Sequence, residues 1–113
     1  MTIFFIMTLQ EFEALIAGDR LVLVDFYATW CGPCRAMHTV LDSLHNQMQN
    51  AVDVVRLDVD SHENVELVQR YRVMSVPTLI LFRQGCMLWR ESGVLSLETL
   101  HDVVRRFERV EAY

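Results

Sequence analysis

The amino-acid sequence predicts an α/β protein, a mixed central sheet of about five strands flanked by about four helices in three layers. Two observations carry that reading. Short apolar, β-branched runs alternate with amphipathic helical patterns along most of the chain, which implies right-handed crossovers and a parallel portion covered on both faces. Near the end, a Gln84-Gly85 turn joins two apolar runs into an antiparallel hairpin, and one more helix follows. At 113 residues the chain is expected to form a single domain, 1–113, large enough to bury roughly two thirds of its unfolded surface.

Residues 2–7 read as a short apolar strand. Thr8 opens a capping box with Glu11, and Leu9, Phe12 and Ile16 then recur at helical spacing until Gly18-Asp19 breaks the pattern. Leu21 to Tyr27 is nearly continuous in apolar residues, as expected of a strand buried on both faces. A long amphipathic helix runs from Pro33 to about Gln49, with Met37, Val40, Leu41, Leu44 and Met48 on one stripe. Pro33 suits its first turn, where a missing N–H costs nothing. Val52, Val54, Leu57 and Val59 mark a third strand. Asp60 is placed as the cap of a short helix with Val65 and Val68 facing inward. Val76-Pro77 precedes a strand from Thr78 to Phe82, and Met87 to Arg90 returns beyond the turn. Gly93 interrupts the chain before a last helix. Its apolar positions are Leu97, Leu100, Val104 and Phe107, with Arg105, Arg106 and Arg109 toward the end where cations suit the dipole.

Composition narrows the function. Hydrophobic residues make up 52%, so a packed core is within reach and disorder is not expected. A net charge of -5 argues against a sequence-independent grip on nucleic acid or anionic lipid. Three cysteines are too few for a secreted disulfide framework. The run Ile3 to Met7 lacks the basic flank and cleavage site of an export signal, and no run approaches membrane-spanning length. The expected compartment is the cytoplasm.

Trp30-Cys31-Gly32-Pro33-Cys34 concentrates the chemistry. It sits after a buried strand and at the start of a helix, where chemistry gathers in open α/β sheets. A helix N-terminus favours a thiolate, the reactive form of cysteine. Cys31 is therefore expected to attack, with its side chain reaching solvent, and Cys34, one turn inside, to resolve the mixed disulfide. Structural zinc is the chemical alternative. It needs four ligands, and Cys86, His38, His45, His62 and His101 offer no closing pair, although His38 stands at i+4 from Cys34. No metal is expected. Asp25 puts a carboxylate inside the apolar run of the second strand. Buried, it would have a raised pKa and could move a proton near the dithiol. Turned outward, it would be an ordinary strand-end aspartate.

Asp25-Phe26-Tyr27-Ala28, the WCGPC segment, Leu57-Asp58-Val59-Asp60, Val76-Pro77-Thr78-Leu79 and Phe82-Arg83-Gln84-Gly85 together resemble the thioredoxin family, in order and over the whole chain. The resemblance implies the thioredoxin fold and a protein-disulfide reductase working through a reversible Cys31–Cys34 pair, without a bound cofactor. It implies disulfide-containing target proteins as partners, a flavin-containing, NADPH-dependent thioredoxin reductase that restores the dithiol, and a monomer. It makes Asp25 the family's buried carboxylate and Pro77 its cis-proline. Trp30, Gly32, Pro33, Val76, Pro77 and Gly93 become the surface on which targets dock. Three positions depart from the family's pattern. Arg56 stands where a lysine often neighbours the carboxylate and so becomes a candidate tuning residue, Thr39 replaces a helix-kinking proline, and Tyr27 replaces a frequent tryptophan. Cys86 is unmatched and reads first as an inert, half-buried thiol. Two rivals stay open: an oxidase or isomerase on the same fold, against which Gly32-Pro33 argues, and a binding module whose redox activity is incidental.

Overall fold

The computed structural model describes residues 3–4 and 8–108. Five strands form one mixed sheet in the order β1-β3-β2-β4-β5. They are β1 (Ile3–Phe4), β2 (Leu21–Tyr27), β3 (Val52–Asp58), β4 (Thr78–Arg83) and β5 (Cys86–Ser92). The helices are α1 (Leu9–Ile16), α2 (Gly32–Met48), α3 (Val65–Arg70) and α4 (Leu97–Glu108), with a 3₁₀ turn at His62–Asn64 leading into α3. β1 and β2 both run parallel to β3, while β4 runs antiparallel to β2 and to β5. The alternating first part and the hairpin of the last part are thus both present. Of the strand expected over residues 2–7, positions 2 and 5–7 lie outside the described residues, as does Arg109.

Strand parity divides the core. Leu21, Leu23, Val52, Val54, Leu79 and Leu81 face α2 and α4, where Met37, Leu41, Leu44 and Leu100 meet them. Val22, Val24, Phe26, Val55, Leu57 and Ile80 face the other way, toward Phe12 and Ile16 of α1 and Leu67 of α3. Each fully buried leucine or phenylalanine contributes about 1.5–3 kcal/mol. Phe12, Tyr71 and Phe82 meet in tilted and edge-to-face pairs, with centroids 5.3–5.6 Å apart, and close the second layer.

The Thr8 capping box forms as expected, the Thr8 hydroxyl accepting from the Glu11 N–H and Glu11 accepting from the Thr8 N–H. Gln84 and Gly85 both take positive φ, +52° and +77°, the left-handed pair of a type I′ hairpin turn. Their N–H groups donate to Gly18 and Ile16, tying the hairpin to the end of α1.

Three expectations fail in detail. α2 begins at Gly32, one residue before Pro33, because Cys31 is its cap. Ser61, with no side-chain capping bond, precedes the 3₁₀ turn in the place assigned to Asp60. Val65 is 40% exposed instead of inward, and Leu67 takes the buried position. The inserted 3₁₀ turn rotates the helix relative to the phase read from Asp60.

Candidate active site

The two cysteines stand where β2 hands over to α2. Tyr27 ends the strand, Ala28 to Trp30 make the turn, and Cys31 caps the helix with extended backbone (φ -92°, ψ 112°). Cys31 and Cys34 are joined as a disulfide with Cα atoms 5.2 Å apart. The Cys34 N–H donates to Cys31 Sγ at 3.1 Å, so the first sulfur occupies the place an N-cap oxygen would take. Negative charge on that sulfur is stabilised by this N–H and by the helix N-terminus. In the disulfide, Cys31 is only 4% exposed, against 1% for Cys34. The expected solvent reach of Cys31 is therefore corrected to a narrow opening. Ala28, Tyr27, Val59 and Val76 pack around the pair.

Val76 and Pro77 close the opposite wall. Their peptide bond is cis, and the Val76 carbonyl oxygen lies 3.8 Å from Cys31 Sγ. Gly93 arrives from beyond β5 with φ +95°, a conformation that glycine adopts at no steric cost. Its N–H donates to the Pro77 carbonyl at 2.9 Å. Trp30 is 70% exposed beside the disulfide, and Gly32 and Pro33 are exposed at the helix start. Trp30, Gly32, Pro33 and Val76 thus adjoin the sulfur pair, while Pro77 is buried and Gly93 is tied to its carbonyl.

Asp25 and Arg56 form a buried pair on adjacent strands. They are register partners on β2 and β3, and Asp25 shares the parity of Leu21 and Leu23, the face covered by α2. Asp25 is fully buried, which settles the open question about its direction. Arg56 Nε donates to Asp25 Oδ2 at 2.7 Å, whereas Oδ1 has no hydrogen-bond partner. Burial pushes the Asp25 carboxyl up, the Arg56 hydrogen bond and charge oppose it, and the charge of His38 opposes it more weakly. Desolvation wins. The Arg56 guanidinium is itself held over the Tyr27 ring at 4.2 Å, a cation–π contact that ties together two of the departures noted in the sequence. The third, Thr39, is exposed in the middle of an α2 that runs from Gly32 to Met48.

Sequence reasoning missed three contributors. Asp60 accepts a hydrogen bond from the Trp30 indole at 2.7 Å, which employs the carboxylate expected to cap a helix. Met74 is 90% exposed in the loop before Val76. Met37 accepts the Leu95 N–H on its sulfur at 3.2 Å, fastening the chain just after Gly93 to α2. Loop residues and an N–H···S contact have no periodicity to announce them. Among the described residues no group of three or more His, Cys, Asp or Glu side chains could hold a metal, and no helix is long and apolar enough to cross a membrane. Cys86 is free and half-buried at the start of β5.

A cysteine pair that closes across one helical turn, capped by a backbone N–H and faced by a cis X-Pro carbonyl, defines a thiol–disulfide oxidoreductase site. Comparison with known proteins agrees. The thioredoxin family model matches residues 3–106. The chain is 48% identical over 81 residues to thioredoxin of Alicyclobacillus acidocaldarius, covering 70% of this chain and 75% of that protein. It is 39% identical over 97 residues to a bifunctional thioredoxin reductase/thioredoxin of Mycobacterium leprae, covering 82% of this chain and 21% of that protein. A mutant thioredoxin from Halobacterium salinarum superposes with a TM-score of 0.85 at 31% identity, covering 98% of this chain and 94% of that one. The chain belongs to the thioredoxin family, and it is a thiol–disulfide oxidoreductase through Cys31 and Cys34.

Proposed function

We propose that this chain, as a single domain, reduces disulfides in target proteins and is returned to the dithiol by a flavin-containing, NADPH-dependent thioredoxin reductase. The observation that carries the reading is the Cys34 N–H directed at Cys31 Sγ, beside the Val76 carbonyl. Cys31 thiolate attacks one sulfur of the target disulfide, forming a mixed disulfide and expelling the other target sulfur as a thiolate. Cys34 then gives up its proton and attacks Cys31 Sγ, closing the Cys31–Cys34 bond and releasing the second target sulfur. Two electrons have passed to the target, which takes up two protons. Asp25, under α2 and with an unpartnered oxygen, receives the Cys34 proton, and Arg56 tunes how readily it does so. Trp30, Gly32, Pro33, Val76, Pro77 and Gly93 dock the target, whose backbone pairs with that of Val76.

Recycling by a thioredoxin reductase is supported by the Mycobacterium leprae relative, whose name joins the two activities in one protein. On this reading the chain is a cytoplasmic protein, and a monomer without a bound cofactor as the family resemblance implies. Insulin reduction in the presence of dithiothreitol tests the reading. The wild-type chain accelerates insulin precipitation, and Cys31→Ser abolishes the acceleration. No acceleration by the wild type, or full activity in the variant, would refute it. A Cys31→Ser, Cys34→Ser double variant that retained biological function would instead favour the binding module.

A further inference from the structure

A cleft of about 320 Å³ lies between Trp30 and the loop that carries Val76, whose carbonyl oxygen faces Cys31 Sγ. Val59, Val68 and Val73 line it, all half-buried, and Met74 stands at its rim almost wholly exposed. Asp60 is the single charged residue in the lining. Its Oδ2 accepts the Trp30 indole N–H, which fixes the carboxylate beside a largely exposed aromatic ring. Among the described residues no ion pair involves Asp60.

These groups match one kind of side chain. An aliphatic stem with a cationic head lays its methylenes along apolar walls and keeps its charge at the water boundary. A flexible thioether such as Met74 adapts to stems of different length. A guanidinium or ammonium at the mouth meets the Asp60 carboxylate and the Trp30 ring face together. An acidic side chain there meets an uncompensated like charge, and the net charge of -5 on the whole chain adds to the bias. Since Val76 both lines the cleft and faces Cys31 Sγ, the occupant comes from the segment beside the target's reactive cysteine.

We infer that Asp60, Trp30 and Met74 form a specificity subsite for an arginine or lysine flanking the disulfide of the target protein. The inference rests on the reductase reading and adds a preference to it. The Asp60 carboxylate selects the charge, the Trp30 ring and Met74 hold the stem, and the sulfur exchange is unchanged.

The test uses cyclic peptides bearing one disulfide, identical except for Arg, Ala or Glu at the positions flanking the cysteines. The reduced protein is mixed with each, and the second-order rate constant of its oxidation is read by acid quench. The Arg peptide reacts about five- to tenfold faster than the Glu peptide, with Ala between, and added salt narrows the spread. In Asp60→Asn, which keeps an oxygen for the indole N–H, the ratio falls to about twofold or less, the remainder reflecting the net charge of the chain. Equal rates in the wild type, or an unchanged ratio in Asp60→Asn, would overturn the subsite while leaving the reductase reading intact. If none of the peptides is reduced, the reductase reading fails and the subsite falls with it.

Discussion

Replacing Asp25 by asparagine removes one titrating group from the core and leaves a side chain of nearly the same shape, whose amide oxygen still accepts from Arg56 Nε. The consequence follows from the direction of the Asp25 shift. Its carboxyl pKa lies above the ordinary 3.8, chiefly because burial penalises the ion. The folded state therefore holds a proton that the unfolded chain has already released. Below the unfolded value both states are protonated and nothing is lost. As pH rises from there to the folded value, stability declines, and above the folded value the loss is complete. Each unit of upward shift removes about 1.4 kcal/mol. Asp25→Asn lacks this decline. Urea unfolding of the oxidised protein from pH 4 to 9, followed by far-ultraviolet circular dichroism, gives both stabilities by linear extrapolation. The variant's advantage over the wild type grows with pH and then levels, and the upper bend marks the folded pKa of Asp25. A flat difference would refute the reasoning. So would a wild type that gains on the variant as pH rises, since that would mean the Arg56 ion pair outweighs desolvation.

Two further predictions probe the same frame. Arg56→Met strips Asp25 of its hydrogen-bond donor and its countercharge, so unfolding at pH 8 loses about 3–5 kcal/mol, as for a broken buried pair, and the loss shrinks as pH falls and Asp25 takes up a proton. A loss that does not change with pH would contradict the assignment. Leu44→Ala empties a fully buried position between α2 and the sheet and costs about 2–5 kcal/mol in the same unfolding assay, a loss under about 1 kcal/mol counting against the packing described.

Much of this molecule is readable in its residues because burial imposes periodicity. β2 is written as a nearly continuous apolar run since α-helices cover both its faces, and the Asp25 interruption stands out for that reason. The Thr8 capping box and the Gln84-Gly85 turn are local chemistry and are found where the residues place them. Phase is less legible. The 3₁₀ turn before α3 shifts which side faces inward, so Leu67 is buried and Val65 is not. The paired cysteines announce their chemistry through their spacing, their place between strand and helix, and the lack of a second ligand pair in the sequence. Their surroundings do not, since Asp60 and Met74 lie 26 and 40 positions beyond Cys34 and meet the site only through tertiary folding, as Leu95 meets Met37. The direction of Asp25 is ambiguous in the sequence because a strand side chain's environment depends on which element packs over it. Only its pairing with Arg56 beneath α2 decides that.

The redox equilibrium of the Cys31–Cys34 pair with glutathione tests the central claim most directly. The protein is equilibrated in buffer containing reduced and oxidised glutathione at a ratio poised near the glutathione couple, acid-trapped, and its free thiols are alkylated and counted. A protein-disulfide reductase holds its electrons less tightly than glutathione does, so the pair is found chiefly as the disulfide. A pair found chiefly as the dithiol under the same poise would contradict the account and identify an oxidase on this fold.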